Sequence, residues 1–175
     1  MGKIAFSTLG CPAWDMKQIR NAAVENRYDA IDFRGYKDEI DITRTPEFTS
    51  RLNETRAFFS DAGIPFSSLS SSVRFTAPTE KEYTPCFEEA LRYLELAEKL
   101  DAPHIRAFIG SIPEGKSTQD MLSLMVPRLQ QLGERARDFG VQIVLETHDD
   151  WTDTEKLRAL VTETNHPFIR VLWDI

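Results

Sequence analysis

Apolar runs of strand length alternate along this chain with longer segments of helical period, and that alternation most narrows what the chain can fold into. It is the pattern of successive βα units around a parallel sheet. Six strands are expected, near residues 3–7, 30–34, 65–69, 103–109, 141–146 and 168–174, with five helices between them. Thr45-Pro46 and Thr84-Pro85 each set a capping hydroxyl before a proline at a first helical position. Ser117 with Asp120 and Thr152 with Glu155 have capping-box spacing, while Gly63 and Gly140 stand where a helix stops before a strand. In the third helix Phe87, Ala90, Leu91, Leu94 and Ala97 recur every three or four residues and stripe one face. Pro127 is expected to kink or split the fourth helix.

The 175 residues are read as a single domain, 1–175. Six βα-type strands fall two short of an eight-strand barrel, and no helix follows the last apolar strand. The chain is therefore expected to be a truncated barrel, the first three quarters of one. Its exposed edges favour a homo-oligomer.

A doubly wound dinucleotide-binding sheet needs a glycine-rich first turn, and Leu9-Gly10-Cys11-Pro12 is not one. A formal charge of −7 disfavours nucleic acid as a partner, though not a small phosphorylated ligand. No segment has the roughly 20 apolar residues of a membrane span, and nothing near Met1 resembles a secretion signal. With only Cys11 and Cys86, far apart, a reducing, cytoplasmic compartment is the expectation.

Gly110-Ser111-Ile112-Pro113-Glu114-Gly115-Lys116-Ser117 matches a phosphate-binding P-loop and lies between a strand and a helix. Its chemistry is unfavourable, because Pro113 deletes an N–H donor and Glu114 brings negative charge to the cradle. Nucleotide binding through this loop remains the runner-up; a Gly/Pro loop ending in a Ser117 helix cap is preferred.

Two apolar strands end in a carboxylate, at Glu146 and at Asp174. In a barrel the C-terminal strand ends converge on one mouth, so two inward carboxylates on neighbouring strands at similar heights can share a divalent cation. His, Asp and Glu ligands suit Mn²⁺, Mg²⁺, Zn²⁺ or Co²⁺ about equally. His148, two residues after Glu146, is read as a substrate contact or a hydrogen-bonded loop residue ahead of a metal ligand, with Asp149 and Asp150 in the loop. Asp32, Arg34 and Arg106 interrupt apolar strands and require partners, either one another or a substrate. Trp14, Phe75 and Trp151 fall in loops of the same mouth and are read as an apolar wall, with Trp14 facing the substrate.

Phe6-Ser7-Thr8-Leu9-Gly10-Cys11-Pro12, Ile31-Asp32-Phe33-Arg34-Gly35, the loop from Gly110 to Gly115, Leu145-Glu146-Thr147-His148-Asp149 and Val171-Leu172-Trp173-Asp174-Ile175 together resemble the sugar phosphate isomerase/epimerase family, which shares the xylose-isomerase-like (β/α)8 barrel. The resemblance implies a divalent ion held by four side chains, of which Glu146 and Asp174 match two; a histidine and a second glutamate would lie beyond Ile175. It implies proton transfer on a small sugar or sugar phosphate, with Glu146 as an acid/base group whose partner is absent here, and so an inactive fragment. It also makes the P-loop look-alike the family's fourth βα loop. Apurinic endonucleases of the same superfamily use several zinc ions and histidines where this chain has Ser67-Ser68-Leu69-Ser70 and Arg106-Ala107-Phe108, which disfavours DNA repair. A noncatalytic sugar-binding protein is the alternative from another class.

Overall fold

The computed structural model describes residues 2–174. Six strands, β1 (Ala5–Ser7), β2 (Ala30–Phe33), β3 (Phe66–Ser70), β4 (His104–Ala107), β5 (Gln142–Glu146) and β6 (Ile169–Leu172), form one parallel sheet in sequential order. Five helices connect them: α1 (Met16–Glu25), α2 (Leu52–Ser60), α3 (Glu80–Lys99), α4 (Thr118–Phe139) and α5 (Thr154–Thr164). The expected strands and helices are all present.

The period of two along each strand divides the sheet into two chemistries. Ile31, Phe33, Leu69, Ile105, Ala107, Ile143 and Leu145 are fully buried in the hydrophobic core, which the helices share. The alternate positions, among them Ser7, Asp32, Ser70, Arg106 and Glu146, line the opposite, polar face. Between β2 and β3 the register slips, Ile31 pairing with Phe66 and Asp32 with Ser68, so one extra residue of β3 is accommodated opposite β2. That shift brings Ser68, and two residues later Ser70, onto the same face as Asp32.

Helix starts show where local signals compete. Ser117 and Asp120 form the expected capping box of α4, and Gly140 ends that helix in the left-handed conformation. Pro127 does not split α4, which is one helix from Thr118 to Phe139. Thr84-Pro85 does not start α3. Thr79 caps it in a box with Glu82, and Pro85 lies inside the helix, within its first two turns, where it removes one N–H. Thr45-Pro46 opens a short 3₁₀ turn instead of α2, and Thr45 gives its hydroxyl to the Ile42 carbonyl. At α5 the cap is Asp153, one residue later than expected, because the Thr152 hydroxyl is bonded to Asp149 O.

The stripe expected on α3 is borne out by Ala90, Leu94 and Ala97, with Phe87 and Leu91 packed at its border. Arg128 of α4 is buried and donates to the Phe75 and Ala77 carbonyls at 2.8 and 2.6 Å and to Glu80 at 2.6 Å, fixing the β3–α3 loop. Cys11 and Cys86 are free thiols. Among the described residues, no helix is long and apolar enough to cross a membrane.

Candidate active site

The polar face of the sheet encloses a cavity of about 660 Å³. Arg34, Arg106, Glu146 and Asp174 all line it, as do Asp32 and the two serines that hold it. These groups meet because each occupies the cavity-facing phase of its strand, at or just beyond the C-terminal end.

Asp32 accepts a 2.7 Å hydrogen bond from Ser7 Oγ on one oxygen and another from Ser70 Oγ on the other. Burial pushes its carboxyl above the usual carboxylate range, and the two hydroxyls and the charges of Arg106 and Arg34 oppose that push. Arg106 is buried in the interior of the site. Its Nε lies 2.9 Å from Glu146 Oε2, and its Nη1 donates to the Ser71 carbonyl at 2.7 Å. Burial lowers the guanidinium pKa, the Glu146 carboxylate raises it, and the like charge of Arg34 adds to the lowering. The internal ion pair expected of Arg106 is thus present, with Glu146 as its partner.

Glu146 pairs in register with Leu172 of β6, and Thr147 N–H donates to Leu172 O at 3.0 Å. Past the end of β6 the chain stays beside β5, because Asp174 N–H donates to Thr147 Oγ1 at 2.8 Å. Glu146 and Asp174 therefore share a face. They are not at one height: Asp174 stands two residues beyond the register partner of Glu146, about 7 Å along the strand. A shared ion requires the Glu146 side chain to rise toward Asp174 with the oxygen that Arg106 leaves free. Two carboxylates suit a hard divalent cation, but they fill only part of its shell. Among the described residues no group of three or more His, Cys, Asp or Glu side chains converges. The other expected ligands fall outside the described residues.

His148 keeps extended backbone after β5 but is exposed at the rim, bonded to Asp149 Oδ1 at 2.9 Å. Its ring meets the Phe108 ring edge-on, with centroids 5.0 Å apart. The expected aromatic wall does not form. Phe75 and Trp151 are fully buried in the core, and Trp14 lines a separate, smaller cavity with Cys11 and Tyr28. Loop aromatics here follow the packing beneath them and not their distance from the mouth.

The sequence reading missed Ser7 and Ser70, the clamps on Asp32, and also Phe108 and Arg74. Phe108 lies two residues from Arg106, and this period-two spacing was its available signal. The Arg74 guanidinium reaches the Phe108 ring from the loop after β3, a contact with no local sequence signature.

The loop of residues 110–117 has a structural explanation. Trp151 Nε1 donates to Gly110 O at 2.7 Å, and the Ile112 N–H, a donor that a phosphate cradle would need, is taken by Asp150 Oδ2 at 2.8 Å. Ser117 is the α4 cap.

Sequential parallel strands, each leading into a helix, with polar side chains collected at the strands' C-terminal ends, define the barrel class of α/β proteins. Residues 21–175 match the family described as xylose isomerase-like TIM barrel, and the chain belongs to that family. No curated protein matches the chain significantly. Solved structures agree on the fold. The probable 3-DHS dehydratase AsbF from Bacillus anthracis superposes with a TM-score of 0.83 at 17% identity, over 99% of this chain and 63% of that one. An IOLI protein with a bound zinc atom gives 0.81 at 20% identity, over 97% and 62%. The 3-keto-D-glucoside 4-epimerase YcjR from E. coli gives 0.80 at 13% identity, over 99% and 68%. The chain spans less than two thirds of the length of the first two.

Proposed function

We propose that this chain carries the Glu146 half of a divalent-metal-dependent isomerase or epimerase site, which acts on a small sugar or sugar phosphate by proton transfer. The observation that carries the reading is Glu146 itself, a carboxylate at the C-terminal end of β5 that faces the cavity and is held at 2.9 Å by Arg106. In a barrel that position belongs to the chemistry. The family match and the epimerase and zinc-bearing neighbours support the same reading.

Glu146 and Asp174 would hold the ion, with water or side chains outside the described residues completing its shell. The bound cation, Mn²⁺, Mg²⁺, Zn²⁺ or Co²⁺, supplies Lewis acidity toward a sugar oxygen. Glu146 would accept a proton from the carbon beside that oxygen, and a second acid/base group outside the described residues would deliver one to the opposite face. Arg106 holds the carboxylate at the cavity, and Arg34 and His148 contact the substrate at the rim.

The test is exchange of a sugar C–H proton with deuterated solvent, followed by NMR, in the full-length protein supplied with each metal in turn. Exchange that Glu146→Gln abolishes while metal affinity is partly kept is the expected result. Sugar binding without exchange under every metal would favour the noncatalytic sugar-binding alternative. The isolated 175-residue chain is expected to bind the ion weakly and to show no exchange.

A further inference from the structure

Three arginines from three different segments surround one aromatic ring, and two of them, Arg34 and Arg106, line the cavity. The guanidinium carbons of Arg106, Arg74 and Arg34 lie 4.1, 5.1 and 5.9 Å from the Phe108 centroid. Of the three, only Arg106 is paired with a carboxylate, Glu146, and it also donates to the Ser71 carbonyl. Arg34 Nη1 is buried without a hydrogen-bond partner, and among the described residues neither Arg34 nor Arg74 forms a salt bridge. The nearest acid by sequence, Asp32, has both oxygens engaged by serine hydroxyls.

Such an arrangement is costly unless something completes it. A guanidinium carries five N–H donors and no acceptor, so a buried, unpaired N–H forfeits its hydration with no return. Contact with the ring face contributes about 0.5–2 kcal/mol but leaves that N–H unsatisfied. Gathering cations in a protein of formal charge −7 is equally unexplained by its bulk electrostatics. An oxoanion resolves each difficulty, since two of its oxygens match the guanidinium fork and its charge offsets the repulsion between Arg34 and Arg106.

We propose that Arg34 and Arg74, set against Phe108, form an oxoanion subsite, and that the substrate of this cavity carries a phosphoryl or carboxylate group. The inference rests on the cavity being the substrate site proposed above. It assigns Arg74 a role in binding and makes neutral sugars poor substrates. The reacting carbon then lies toward Glu146, and the anionic group toward the loop after β3.

The experiment titrates the full-length protein with inorganic phosphate and separately with acetate by calorimetry. It then compares proton exchange on a neutral hexose, a hexose phosphate and a hexuronate. The phosphate and acetate arms distinguish the two sources of the oxoanion. Arg34→Met and Arg74→Met are each expected to raise the Kd of the bound probe about tenfold, the loss of one charge-assisted pair. Both should raise KM for the anionic sugar more than for the neutral one. Should Arg34→Met fail to fold, the exposed Arg74→Met carries the test alone. Wild-type affinity for both probes in the Arg74 variant, or no binding of either probe to the unmodified protein at millimolar concentration, overturns the proposal. Arginine-dependent probe binding with no exchange on any sugar would remove the isomerase reading and leave the subsite standing. Exchange at equal rates on neutral and anionic sugars, altered by neither variant, would do the reverse.

Discussion

The pair of Arg106 and Glu146 offers the sharpest energetic test of the site. Their side chains are 7% and 13% exposed, and Nε lies 2.9 Å from Oε2. Charge centres about 4 Å apart in a medium of effective dielectric near 20 attract by about 4 kcal/mol, and breaking a buried pair by removing one partner costs about 3–5 kcal/mol. Glu146→Gln keeps an acceptor in place, so about 2 kcal/mol is expected from it. Arg106→Met also loses the bond to Ser71 O, adding about 1 kcal/mol, but leaves a carboxylate that the open cavity can hydrate. The double variant should then lose less than the sum of the singles by about 1.5 kcal/mol. Urea unfolding at neutral pH, followed by circular dichroism, measures all three. Because the pair is buried, moderate salt should reduce the coupling only slightly. Additive single effects, with a coupling below about 0.5 kcal/mol, would refute the claim that Arg106 holds Glu146.

Three further outcomes are expected. Gly133→Ala places a Cβ 2.4 Å from the His166 ring, which is pinned by Phe168 N–H at 3.2 Å and Glu134 at 3.1 Å; it should destabilise by about 1–3 kcal/mol despite alanine's better helix propensity, and a gain in urea midpoint would contradict this. Because the Asp32 carboxyl is raised in the folded state, wild-type stability is favoured at low pH and falls as pH rises from the ordinary aspartate value through the folded one. Asp32→Asn should therefore be more stable than wild type at neutral pH and show no such gain at about pH 3, where the wild-type carboxyl is also neutral; equal differences at both pH values would count against it. Trp151→Phe removes the buried bond to Gly110 O and should cost about 2 kcal/mol while speeding amide exchange in residues 110–117, which unchanged protection of that loop would disprove.

The alternation of six apolar strands with five helices was legible because it depends on local period. The carboxylates of Glu146 and Asp174 were legible for the same reason, since a strand's phase says which side chains share a face. What escaped was set by competition or by tertiary packing. At α3 the proline rule put the start at Thr84-Pro85, but the helix begins at a box of Thr79 with Glu82, whose two satisfied N–H groups outweigh one donor lost at Pro85. Trp151 looked like a mouth residue by position but is anchored in the core by a carbonyl that sequence does not reveal. Arg74 gave no signal either, because its contact with Phe108 joins separate segments.

The bonds from Trp151 to Gly110 and from Ile112 to Asp150 stitch the loop after β4 to the loop after β5. Those two segments consequently behave as one rigid arc of the rim. An insertion in either would have to be matched in the other, so variation in loop length that retunes ligand choice is channelled to the opposite arc, after β1, β2 and β3. That arc holds Arg34 and Arg74, so a change of loop length there would bear directly on the proposed oxoanion subsite.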